Sequence, residues 1–448
     1  MLSIKSLLGK NRRTALMRKN ILFSFIIKGW TGIVFLLLVP ITLKCLGEYQ
    51  NGIWLTISSM LIWMDNMDIG LGNGLRNNLT SSLALGKTKE AREFVSNTFI
   101  MLILIITPAF LILLSLVANC DIYAFLNVDE SVVKNLDKII ITALIFVCST
   151  FIFKFIGNVY LGLQLPAVNN LLVSCGYTLS LIGTYILYYT HNGTLWNVAI
   201  INTCSPLVVY LLCYPYTFYY KYPQIRPRIR DFNIRTASKL FSIGIKFFLL
   251  QMSSSLVFMS SSLLMSRLYN PKEVTPYQIT YRYFSIVLHF FTIICAPLWS
   301  ATTDAYERGE IDWIKDSSKR TKKIIALSFI IIMALAILSQ PIYSIWIGRD
   351  VTIPWSFTIG MAAYIAITIY SLAYCYYLNG MQALNLQLVC TLGGAALFFI
   401  LTFVLSSLYH NAVTILLALC LSNIPSMVCN KLQFEKIVNF KATGIWKR

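Results

Sequence analysis

The sequence predicts an all-α polytopic membrane protein of about twelve transmembrane helices, arranged as two six-helix lobes, on three observations. The first is composition: of 448 residues, 57% are apolar and only 12% are charged, about half the charge of an ordinary soluble domain. The second is that the apolar residues fall in runs of roughly 20 residues or more, the length that crosses a hydrocarbon core. The third is a net charge of +19 that is sorted between alternate loops.

The runs follow one another along the chain with no connection longer than roughly 20 residues. They are Ile21–Leu43, Gly52–Leu75, Phe94–Ala118, Ile139–Leu163, Pro166–Tyr189 and Leu195–Tyr219, then Leu240–Leu268, Pro276–Thr302, Ile324–Trp346, Ile353–Tyr377, Leu384–Leu408 and Ala412–Phe434. The basic N-terminal stretch Met1–Asn20 leads into a run too long for a signal-peptide core, so it reads as the approach to the first span. The eleven cysteines are scattered without any C-x-x-C pair and read as small buried hydrophobes.

Twenty-seven Lys and Arg fall on the side of the N-terminus, the even-numbered loops and the C-terminus, where Lys431 is counted with the tail; six fall on the other side. The positive-inside rule then places both termini in the cytoplasm. The most basic connection, Lys221 to Lys239, separates an N-lobe (residues 1–220) from a C-lobe (239–448), with 221–238 as a cytoplasmic linker.

The two lobes match each other. L-F-S-F-I-I-K at Leu22–Lys28 shares five of seven residues with L-F-S-I-G-I-K at Leu240–Lys246, 218 residues further on. Gly162-Leu163-Gln164 and Gly380-Met381-Gln382 repeat at the same spacing, and Leu79–Glu93 corresponds loosely to Thr302–Asp316 around Gly86 and Gly309. Both first spans start on the same side, so the repeat is parallel, and the expected substrate path lies at the lobe interface.

With Arg267 and Lys431, near run ends, counted with the adjoining loop and tail, four cations lie within the runs: Lys28, Lys154, Lys246 and Arg282. A charge at that depth costs several kcal/mol unless it meets water, a partner or a ligand, or snorkels outward. Lys28 and Lys246 occupy equivalent positions of the repeat, which would aim two lysines at one shared volume. Asp65 and Asp68, at i and i+3, share a helix face and are candidates for pairing with Lys28 or Arg282, for H+ or Na+ coupling, or for a solvated polar patch. A net positive interior selects an anionic substrate, phosphate or diphosphate first.

Other features point away from soluble chemistry. The stretch D-I-G-L-G-N-G-L-R-N-N-L (Asp68–Leu79) lacks the strand and acidic partner of a nucleotide loop; its glycines suit close backbone approach, with Arg76 as an interfacial cation. Pro40, Pro108, Pro206, Pro215, Pro297 and Pro341 bend or end helices. The tyrosines from Tyr214 to Tyr222 read as an interfacial belt, and Tyr364, Tyr370, Tyr374 and Tyr377 as interhelical packing or the lining of a cavity for carbohydrate. His191, His289 and His410 are too dispersed for a metal site or triad, there is no Walker motif, and the basic loops suit anionic lipid rather than nucleic acid.

The spans, the 6+6 repeat, the D-I-G-L-G-N-G-L-R-N stretch and the G-L-Q stretch together resemble the polysaccharide transporters of the MOP superfamily, in particular the Wzx-type flippases for O-antigen and related repeat units. The resemblance implies a two-lobed, V-shaped, non-enzymatic carrier in the bacterial inner membrane. It would move undecaprenyl-diphosphate-linked oligosaccharide outward for O-antigen, capsule or exopolysaccharide, in association with polysaccharide assembly proteins and without a resident cofactor. It also implies a cationic central cavity, to which Lys28, Lys154, Lys246 and Arg282 would contribute. Multidrug or cation exporters of the same superfamily would be expected to carry acids in the first or seventh span, where this chain has lysines. A membrane-embedded polymerase or ligase would be expected to carry a large outer loop with catalytic Arg or His, whereas the loop Asn119–Lys138 is short and more acidic than basic. A structural scaffold would leave the symmetric lysines unexplained.

Overall fold

The computed structural model describes residues 10–66, 70–123, 128–130, 133–269, 271–346 and 353–447. Every regular element among them is helical, as an apolar chain must be when lipid offers its backbone no hydrogen-bond partner. The first element, α1 (Lys10–Asn66), is two helices joined at Gly47, where φ of 73° and ψ of 172° leave the helical path. It is followed by α2 (Leu71–Ala84) and α3 (Thr88–Asn119). Next come α4 (Leu136–Phe153) and α5 (Phe155–Gly162), one apolar run interrupted at Lys154. Proline opens α6 (Pro166–Tyr189) in the position where its missing N–H costs least. The N-terminus of α7 (Leu195–Pro215) is capped by the Thr194 hydroxyl, which accepts from the Asn197 N–H at 3.2 Å. A π-helical turn, Tyr216–Lys221, continues it.

The rest of the chain forms α8 (Ile234–Leu268), α9 (Pro271–Glu307), α10 (Ile311–Ile337), α11 (Ser339–Trp346), α12 (Trp355–Gly380), α13 (Asn385–Leu408) and α14 (Val413–Val438). Among the described residues ten stretches are long and apolar enough to cross a membrane, and α10 with α11, bent by 63°, adds an eleventh when the pair is taken as one span. The run expected over Gly52–Leu75 passes through residues 67–69, which lie outside the described residues. The helices α3 and α7 continue through Pro108 and Pro206 rather than ending there.

The chain divides into two compact units, one spanning Thr14–Ile245 and the other containing Lys246–Arg448, with the division inside α8. In the first unit Leu71, Leu75, Phe94, Val95, Phe155, Val159, Phe218 and Leu240 form one buried cluster. Leu46, Trp54, Leu136, Ile139, Leu144, Leu195 and Val198 form another. In the second unit α12 is central, packed on α9, α10 and α14, and its face Met361, Ile365, Ile369 and Ala373 is buried at the helical spacing of three to four residues.

Candidate functional site

The glycine-rich stretch before and within α2 builds a joint. Gly70 has φ of 73°, and a Cβ there would stand 1.9 Å from the Gly244 carbonyl oxygen of α8, so only glycine fits this backbone crossing. Behind it lies a row of buried polar side chains: Arg76, Asn77, Asn78, Thr80 and Ser82. Thr80 donates its hydroxyl proton within reach of two carbonyls, Arg76 O at 2.8 Å and Gly162 O at 2.7 Å. Arg76, expected at the interface, is 5% exposed. Its place in the middle of α2, packed on α3 and α5, explains the difference.

The repeat motifs have the same backbone in both units. Gln164 and Gln382 sit in the left-handed region at φ of 62° and 58°, and Gly86 and Gly309 at 74° and 72°. Added Cβ atoms would meet the Leu79 side chain at 2.9 Å from Gly162, and the Trp299 carbonyl oxygen at 2.6 Å from Gly380. These motifs are therefore helix joints rather than chemical groups.

The basic linker is strapped to the first unit. The Arg228 N–H donates to Ser96 Oγ at 3.0 Å and the Asn233 N–H to Asn97 Oδ1 at 3.0 Å. Asn97 Nδ2 donates to the Asp231 carbonyl at 3.2 Å, and Arg92 pairs with the Asp231 carboxylate at 2.6 Å. Lys221 lies within 6 Å of three tyrosine rings (5.9 Å to Tyr160, 5.8 Å to Tyr216, 5.6 Å to Tyr222) and Arg226 sits 4.4 Å from the Tyr219 ring. Burial, and after it Tyr216, pushes the Tyr222 phenol above its ordinary range, so it remains a neutral ring under the lysine.

The four predicted cations have unlike surroundings. Lys28 is exposed on α1 and, among the described residues, makes no hydrogen bond or ion pair. Lys246, its repeat counterpart, is half-buried, and its ammonium donates to Asn385 Oδ1 of α13 at 2.7 Å. Lys154 is the half-buried residue between α4 and α5; its N–H bonds the Thr150 carbonyl at 2.7 Å and its own carbonyl accepts from Gly157 at 2.9 Å. Arg282 is exposed on α9 with no side-chain partner among the described residues, and His289 is exposed two turns along. Asp65 and Asp68 lie outside the described residues, Asp65 by its side chain. No group of His, Cys, Asp and Glu able to hold a metal occurs among the described residues.

Sequence reasoning missed Lys431. Counted with the tail as a topological cation, it lies within α14 and lines a cavity in the second unit beside Tyr370. The signal was its seven helical residues of separation from Val438, where the helix ends. Of the other α12 tyrosines, Tyr374 and Tyr377 are buried against Phe434, at 5.5 and 5.0 Å between ring centroids, so they pack rather than line a cavity.

Comparison with known proteins adds to this geometry. Residues 175–356 match a family described as polysaccharide biosynthesis protein. The chain is 21% identical over 301 residues to a putative O-antigen transporter of Salmonella typhimurium, 64% of each chain, and 22% identical over 355 residues to one of Salmonella typhi, 78% of this chain and 79% of that protein. A putative O-antigen export protein of Yersinia pseudotuberculosis is 22% identical over 368 residues, 78% of this chain and 79% of its own. Among solved structures, an outward-facing multidrug resistance MATE family transporter of the MOP superfamily matches with a TM-score of 0.77 at 12% identity, covering 99% of both chains. A MOP superfamily transporter from Pyrococcus furiosus, described by the reverse polarity of its binding pocket, matches at 0.76 and 12% identity over 99% of both. The chain thus shares the fold of these MOP superfamily transporters and is similar in sequence to the putative O-antigen transporters.

Proposed function

We propose that the chain is a flippase that carries undecaprenyl-diphosphate-linked oligosaccharide repeat units from the inner to the outer leaflet of the bacterial inner membrane by alternating access, for surface polysaccharide assembly. The observation that carries the reading is Lys28: a cation about 12 Å into an apolar run, exposed and without a partner among the described residues. Such a group is stabilised by an anionic ligand or by water, and a lysine suits a phosphate that must be released again. The O-antigen transporter likeness supplies the substrate class. In this reading Arg282, also exposed and without a side-chain partner among the described residues, joins Lys28, Lys154 and Lys246 along the diphosphate's route, while the sugars follow in water and the prenyl chain stays in lipid. Asp65 and Asp68 are assigned to charge pairing or to H+ or Na+ coupling, both termini to the cytoplasm, and other polysaccharide assembly proteins to the role of partners.

The structural neighbours include drug transporters, but at 12% identity they share a fold rather than a ligand. The first apolar run and α8 contain no acid for a cationic drug. The test is to deplete the chain in its host. The flippase reading expects lipid-linked repeat units to accumulate, accessible only from the cytoplasmic leaflet, while surface polysaccharide falls. Continued appearance of repeat units on the outer leaflet contradicts it, and chain growth by the purified protein on lipid-linked repeats would make it a polymerase.

A further inference from the structure

In the second unit α10, α12 and α14 surround an open groove of about 630 Å³. Phe329 comes from α10, Ala363, Ala366 and Tyr370 from α12 at helical spacing, and Met427 and Lys431 from α14. The walls are otherwise apolar. The two alanines hold the floor open: at the 218-residue spacing of the repeat their first-unit counterparts are Ile145 and Cys148, and that of Lys431 is Cys213. The groove with its cation thus belongs to the second unit's own sequence.

Lys431 is half-buried and, among the described residues, makes no hydrogen bond or ion pair. It lies seven residues before the end of α14 at Val438, about 10 Å along the helix, so its ammonium reaches toward that end over an apolar trough. A neutral lipid would fill the trough and leave the ammonium unpaired. A free phosphate ion would pair the ammonium and leave the trough empty. A sugar needs several hydrogen-bonding groups, and Tyr370 is the other polar side chain present.

We propose that this groove binds an anionic phospholipid of the inner leaflet, with its phosphate on Lys431 Nζ and one acyl chain lying over Ala363 and Ala366 between α10 and α14. The leaflet follows from the proposed orientation, which places the α14 C-terminus in the cytoplasm, where anionic headgroups attract basic side chains. The site does not depend on what the protein transports.

The experiment uses the full chain in nanodiscs with phosphatidylglycerol or phosphatidylcholine bearing a photoreactive acyl chain, followed by mapping of labelled peptides. Phosphatidylglycerol should label α12 and α14 about fivefold more than phosphatidylcholine, the weight of one lysine against an anionic lipid. Lys431→Gln should remove that preference, Lys431→Arg should keep it, and Ala366→Phe should suppress labelling by both lipids. Because Lys431→Gln changes a half-exposed, unpaired side chain, its labelling is read at unchanged protein yield. Equal labelling of the wild type by both lipids, or a preference that survives Lys431→Gln, overturns the proposal. Displacement of phosphatidylglycerol by an equimolar polyprenyl phosphate overturns the phospholipid assignment.

Discussion

The two units repeat one backbone and differ in their chemistry. Gln164 and Gln382 occupy the same left-handed turn, Gly86 and Gly309 the same joint, and Gly162 and Gly380 the same close approach between helices. Yet Lys28 is exposed and, among the described residues, unpaired, whereas Lys246 is held by Asn385, and Cys213 stands where Lys431 faces a groove. The difference teaches that the repeated motifs serve packing. Function has to be sought among positions where the units disagree, because packing constrains a joint from all sides while an exposed side chain is free to change.

The largest effects should come from the shared joints, and they should not be equal. Gly380→Ala drives a Cβ against the Trp299 backbone oxygen and the Thr302 side chain, whereas Gly162→Ala meets a leucine side chain that can move. The first should cost about 3 kcal/mol and the second about 1 kcal/mol, read as the temperature at which each variant aggregates in detergent; equal losses would mean that the joints differ in ways the repeat hides. Next comes the lysine pair. Lys246→Met leaves the half-buried Asn385 oxygen without its donor and should cost about 2 kcal/mol, the value of a hydrogen bond to a charged group, while Lys28→Met should leave stability unchanged in the same assay. The smallest effect is expected at the turns. Gln164→Gly and Gln382→Gly relieve a left-handed residue while loosening the unfolded chain, so each should shift stability by less than about 1 kcal/mol, with the same sign in both units.

Much of the fold was legible because hydrocarbon permits little else. Long apolar runs had to be helices, and the shared 218-residue spacing identified joints whose geometry proved alike. The second run was harder, since the polar α2 that continues it buries Arg76, Asn77 and Asn78 among neighbouring helices where a hydropathy profile reads the membrane edge. The Lys246–Asn385 bond and the Arg92–Asp231 anchor each join residues 139 positions apart, beyond any local pattern. Lys431 was hidden by its closeness to a helix end, where a lysine ordinarily serves topology. The sequence therefore supplied the candidate cations, and among the described residues the structure ties Lys246 to Asn385 and gives Lys28 and Arg282 no side-chain partner.

The central claim is that Lys28, which has no partner among the described residues, handles an anionic headgroup, and complementation with quantified protein tests it directly. In a strain lacking the gene, Lys28→Arg should restore surface polysaccharide and Lys28→Gln should lower its rate of appearance about tenfold or more, as expected for loss of a charged contact, at equal amounts of protein in the membrane. Undiminished polysaccharide with Lys28→Gln would contradict the account.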